Sequence, residues 1–235
     1  MNIAAVFGIA CFAVVTIASP SSADTIDTSG PYVDRMYSFG RDATPTYGQT
    51  FTVGTENALN AFTFYLGGDA TNVRAYVYSW TGYGAVGPAL FASDVRSFGG
   101  TSGNAFDALE FSVGALDLIR GQHYVAFLTT VGVDQPANAG SAWMPTAGTF
   151  GSDAYGGGDF VYTNNGPAFA NVVGQRWDDS NGALGDVQFK AVFSAGATSG
   201  AGVPEPAAWA MLIGGFGLAG GALRRRRVRT AVRFA

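Results

Sequence analysis

The stretch NVRAYVYSW, Asn72 to Trp80, alternates residue by residue. Successive side chains of an extended chain point to opposite faces. Val73, Ala75 and Val77 therefore share one side, and Arg74, Tyr76, Tyr78 and Trp80 share the other. β-Branched and aromatic residues suit a pleated surface, and the period of two predicts a strand. In a two-layer sheet protein either face can be the inner one, so the alternation alone leaves the inward side open.

The same period recurs on both sides of this stretch. GQTFTVG (48–54) puts Phe51 and Val53 together, and ALNAFTFYLGG (58–68) puts Phe62 and Phe64 together with Thr63 opposite. FDALEFSVG (106–114), GQHYVAFLTTVG (121–132) and GDVQFKAVFSAG (185–196) repeat it. Gly, Asn, Asp and Pro separate these runs, as turns require. Of the 235 residues 34 are Gly, 14% are aromatic and only 13% are charged, where an average domain carries about 25% charge. No confident amphipathic helix and no internal repeat interrupts the pattern. Together these features predict an all-β fold, an antiparallel, jelly-roll-like β-sandwich over residues 24–194.

Val133 to Val172 is the hardest part to place. It is rich in Gly, Asn and Pro, yet it carries Trp143, Phe150, Tyr155, Phe160, Tyr162 and Phe169. It reads as long loops whose rings either pack onto the sheet or offer a stacking surface to a sugar, with Trp143 and Tyr155 as the candidate ligand-binding residues. RWDDSNGALGD places Asp178, Asp179, Asn181 and Asp186 before the last strand. Such oxygens suit a structural Ca²⁺, although the spacing is not that of an EF-hand and a solvated turn is the plainer alternative. Asp153 and Asp159 form a second acidic loop. No other cofactor is expected.

His123, the single histidine, shares its face with Val125 and Phe127 and reads as a strand residue. No nucleophile elbow accompanies it, and the chain has too few His and Cys for a zinc site. The single cysteine, Cys11, lies in the N-terminal apolar run, so a mature chain without that run has no thiol chemistry. Between Asp24 and Val203 there are 16 acidic and 7 basic residues, a surplus of 9 acids. A body so acidic argues against nucleic acid as a partner, because phosphate neutralisation needs a basic face.

The two ends differ from the middle. MNIAAVFGIACFAVVTIASPSSADTI opens with an apolar run from Ile3 to Ile17 and then offers Ser21-Ser22-Ala23. This is the layout of a secretory signal peptide over residues 1–23, cleaved by signal peptidase after Ala23, although no Lys or Arg precedes the core. At the other end SAGATSGAG (194–202) is a small-residue linker, assigned to 195–203. Pro204-Glu205-Pro206 follows. Ala207 to Leu223 is uncharged and as a helix reaches about 25 Å, the lower limit for one transmembrane span. Arg224, Arg225, Arg226 and Arg227 then act as a stop on the cytoplasmic side, with 228–235 as a basic tail.

Pro204-Glu205-Pro206, Trp209, the Gly-rich apolar run and Arg224 to Arg227 resemble the PEP-CTERM sorting signal of Gram-negative bacteria. That resemblance implies recognition of Pro204, Glu205 and Pro206 by an exosortase, a membrane-embedded cysteine peptidase. It also implies transient anchoring in the inner membrane and delivery to the cell surface or matrix, often alongside exopolysaccharide. The function expected is therefore that of an exported, exosortase-processed, non-catalytic protein associated with extracellular polysaccharide. The alternatives are an adhesin module with a defined carbohydrate or protein ligand, and a secreted polysaccharide-active hydrolase.

Overall fold

In the computed structural model the chain divides into two compact units, Met1–Gly196 and Ala197–Ala235. The structure describes residues 24–178 and 182–196 of the first, and 211, 213–216, 218, 220, 221 and 224 of the second. The expected signal peptide with Ala23, the expected linker, Pro204, Glu205, Pro206, Trp209 and Arg225 to Arg227 lie outside the described residues. So do Asp179, Asn181 and most of the expected span at 207–223. The described residues of the second unit, Arg224 included, have helical backbone, and no helix among the described residues is long and apolar enough to cross a membrane.

Two six-stranded antiparallel sheets build the first unit. In chain order the strands are β1 Thr25–Asp27, β2 Arg35–Phe39, β3 Thr46–Thr52, β4 Ala58–Gly68, β5 Thr71–Trp80 and β6 Ala85–Ala92. There follow β7 Arg96–Phe98, β8 Phe106–Asp117, β9 His123–Thr129, β10 Ala142–Pro145, β11 Phe160–Thr163 and β12 Phe189–Ser194. One sheet runs β1-β12-β4-β10-β2 with β8 on the other edge of β4, and the second runs β11-β3-β9-β5-β6 with β7 also on β5. From β3 to β5, and again from β8 to β12, each strand lies in the sheet opposite its predecessor. The expected β-sandwich is what forms.

The alternation read from sequence decides which faces meet. Val73, Ala75 and Val77 of β5 point inward, with Ala126 and Leu128 of β9 and Phe51 of β3. Opposite them stand Phe62, Phe64 and Leu66 of β4, Phe111 of β8, and Phe189 and Phe193 of β12. Large rings from one sheet thus fill the room left by small side chains on the central strands of the other, as close packing demands. Phe189 sits among Phe51, Phe62 and Phe64 at centroid distances of 6.2, 6.5 and 5.1 Å.

The segment read as loops, 133–172, contains β10 and β11 and one turn of 3-10 helix, Phe169–Asn171. Short strands flanked by Gly and Pro carry too little period-two signal to stand out. Part of the outer face of the second sheet is covered as well. Tyr76, Tyr78, Val125 and Phe127 form a second cluster there, covered by Phe169, Val172 and Trp177. Trp177 is fully buried, meets Phe127 edge-on at 5.2 Å, and donates its indole N–H to the Val172 carbonyl at 2.7 Å.

Both ends of the sandwich leave from one pole. β1 pairs with β12 in the register Thr25↔Val192, and the Phe193 N–H donates to the Asp24 carbonyl at 2.9 Å. The register Ala58↔Ser194 and Ala58↔Asp117 brings the start of β4 and the end of β8 to the same pole.

Candidate functional site

The turn from β5 to β6 and the start of β9 belong to that pole. Ser79 pairs with Tyr124, so the next position along sets His123 level with Trp80 on the outer face. Thr52 pairs with His123 on the other side, and its hydroxyl lies 3.2 Å from the His123 Nδ1. Trp80, at the last position of β5, is braced edge-on by Trp177 at 5.7 Å and 83°, and it remains half-buried. Three neighbouring strands therefore present a threonine, an imidazole and an indole side by side.

The fourth wall is the GGGD segment, Gly156 to Asp159. The Thr50 N–H donates to the Asp159 carbonyl at 2.8 Å, and the Asp159 N–H donates to the Thr50 hydroxyl at 2.7 Å. The Thr52 hydroxyl donates to the Gly157 carbonyl at 2.7 Å. Gly158 is required by this approach, because a Cβ there would overlap the Thr50 carbonyl. The result is an open cleft of about 400 Å³ whose lining includes Trp80, Thr81, His123, Thr50 and Asp159. Burial, and secondarily the charge of Asp153, raise the Asp159 carboxyl above its ordinary value.

Asp186 holds this wall in place. It is 2% exposed. One carboxylate oxygen accepts from Gln49 Nε2 at 2.6 Å, and the other accepts from the backbone N–H groups of Ala154 and Tyr155, both at 2.8 Å. Burial raises its pKa even though these donors favour the charged form. The Tyr155 hydroxyl in turn donates to the Thr52 carbonyl at 3.2 Å. A buried carboxylate with donors on both oxygens fixes the loop that carries Gly156 to Asp159.

Trp143 is 2% exposed. Its indole is seated on Gly67 and Gly68, Tyr32 and Phe106 meet it edge-on, and the Arg35 guanidinium lies 5.4 Å from its ring. This corrects its reading as a stacking platform, since the ring is spent on packing. Tyr155 is half-buried, its hydroxyl is tied to β3, and it belongs to the loop that forms the cleft wall. Asp178 is exposed and pairs through its backbone with Tyr162, donating at 2.8 Å. Asp186 is turned to Gln49 and the 154–155 backbone instead. Among the described residues no group of three His, Cys, Asp or Glu side chains is arranged to hold a metal.

In the sequence Trp80, His123 and Asp159 stand apart, with nothing to group them. The signal was available in part: Trp80 ends one strand and His123 begins another, in phase with the same face. The pairing of β5 with β9, 43 residues on, is what sequence spacing does not disclose.

A family model of the PEP-CTERM protein-sorting motif matches residues 202–227, so the chain carries that sorting motif. No curated protein matches the chain. A solved structure with some similarity is that of the cysteine protease and lectin-like domains of Cwp84, a surface layer associated protein of Clostridium difficile. The identity is 13% and the TM-score 0.42, over 65% of this chain and 32% of that one. The chain thus spans about a third of that structure's length.

Proposed function

We propose that this PEP-CTERM-bearing chain, exported across the inner membrane and sorted by an exosortase to the cell surface or beyond, is a non-catalytic protein that holds extracellular polysaccharide in the Trp80–His123–Asp159 cleft. Removal of the signal peptide after Ala23, and a transient single-pass anchor at 207–223 released by cutting near Pro204 to Pro206, belong to the same reading. The observation that carries it is the half-buried Trp80, braced by Trp177, beside polar side chains that both donate and accept hydrogen bonds. Sugar C–H faces bury apolar area against an indole, while hydroxyls need partners of both kinds. An open cleft on a pinned loop binds without the cost of ordering its walls. The acid surplus of the body favours neutral or amino sugars over polyanions.

The test uses the processed protein recovered from producing cells and the extracellular polysaccharide of the same cells. After mixing and sedimentation the protein should travel with the polymer, and no new reducing ends should appear. The hydrolase reading finds some support in Asp159, whose carboxyl is shifted upward as a general acid's would be. Release of reducing ends that stops with Asp159→Asn would favour it. Protein that stays in solution would exclude polysaccharide retention.

A further inference from the structure

The Trp80 cleft shares Thr81 with a neighbouring open hollow of about 280 Å³, whose lining includes Tyr83, Gln175 and Arg176. Tyr83 is 60% exposed, yet its backbone is fixed. The Tyr83 carbonyl accepts from the Trp177 N–H at 2.7 Å, and the Thr81 N–H donates to the Gly84 carbonyl at 3.2 Å. Gly84 is pressed so closely on Gln175 that a Cβ would overlap the Gln175 carbonyl. An exposed tyrosine on an immobilised turn has only two side-chain torsions to lose on binding. The same segment, 174–177, supplies both Trp177 behind Trp80 and Gln175 and Arg176 beside Tyr83, so one piece of backbone supports both hollows.

We infer that the two hollows are consecutive subsites for a single linear polysaccharide, which is bound along its interior rather than at its end. This rests on the polysaccharide reading of the Trp80 cleft and extends it. Trp80 and Tyr83 are three residues apart, at most about 11 Å of chain, and the turn brings them nearer, within reach of one short run of sugar residues. Trp80 takes the face of one sugar and Tyr83 that of a neighbour across the turn. Gln175 and Arg176 offer amide and guanidinium donors to the hydroxyls between. Both hollows are open and meet at Thr81, so one chain that occupies both need not end in either.

The experiment measures binding of the processed protein to size-fractionated fragments of the producing cell's extracellular polysaccharide, made by partial acid hydrolysis. Affinity should rise with fragment length and then level off. Tyr83→Ala should leave the shortest binding fragments unaffected and weaken the long ones by about tenfold, the scale of one lost aromatic contact. Tyr83→Phe should keep the long-fragment affinity. Binding that is already complete at the shortest fragment, or long-fragment affinity unchanged in Tyr83→Ala, overturns the inference and leaves the Trp80 reading intact. Failure of fragments of every length to bind the unaltered protein overturns both.

Discussion

The indole of Trp143 occupies the space in which a side chain at Gly67 would stand. β10 pairs with β4 through Trp143↔Gly67, and a Cβ at residue 67 would overlap the six-membered ring. The Gly-Gly that ends β4 is therefore a seat for a buried ring, and it explains why the most conspicuous aromatic of the 133–172 segment is structural.

Gly67→Ala should accordingly destabilise the sandwich by about 1–3 kcal/mol, the usual cost of overpacking. In a domain of this size that lowers the melting temperature by several degrees, about 2–4 °C per kcal/mol. Thermal unfolding of the variant followed by circular dichroism measures it. An unchanged melting temperature would mean that Trp143 moves aside freely.

Asp186→Asn exchanges one accepting oxygen for a donor that faces either Gln49 or two backbone N–H groups. The expected loss is about 1–3 kcal/mol, because buried donors lose their acceptor. Hydrogen exchange should show lost protection at Ala154 and Tyr155, whose N–H groups Asp186 now holds. Polysaccharide affinity should fall with it, since the same loop carries Asp159. Protection unchanged at those two amides would remove Asp186 from its role as anchor.

One part of the pH dependence of stability follows from the two carboxyls held above their ordinary value of 3.8, Asp159 and Asp186. Each binds its proton more tightly in the folded state than in the unfolded chain. Their contribution to stability is therefore complete below about pH 4, where both states are protonated. It declines as pH rises from there through the folded pKa values and then levels off. Asp159→Asn should reduce this downward slope, as read from denaturant midpoints at a series of pH values. A slope as steep in the variant would contradict the assignment.

Pro204→Ala and Glu205→Ala test the sorting element. Each should yield protein that keeps Arg224 to Arg227 and stays with the inner membrane, as read by mass spectrometry of cell fractions. Normal maturation of both would contradict recognition at Pro204 to Pro206.

The sandwich was legible where strands are long and one-sided. Phe62 and Phe64, Phe51 and Val53, and Val73, Ala75 and Val77 all face the core as their phase predicts. The phase does not say which face is inner, and β5 shows why: Tyr76 and Tyr78 are also covered, by Phe169, Val172 and Trp177 from a segment 90 or more residues further along the chain. The cleft was not legible as a unit, because His123, Trp80 and Asp159 meet only through pairings of β3, β5 and β9 that are distant in sequence. The role of Trp143 stayed open for a related reason. Composition marks an aromatic in a Gly-rich stretch, but only the register with Gly67 tells whether its ring is free.

The affinity of the processed protein for the producing cell's polysaccharide, compared between Trp80→Ala and Trp143→Ala, decides which of the two indoles meets the sugar. Trp80→Ala should stay folded and lose most of its binding, by about tenfold or more for one stacked ring and its wall. Trp143→Ala should lose about 3–5 kcal/mol of stability, yet bind normally in its folded fraction. The opposite pattern, binding that survives Trp80→Ala and vanishes in folded Trp143→Ala, would contradict the assignment of the cleft.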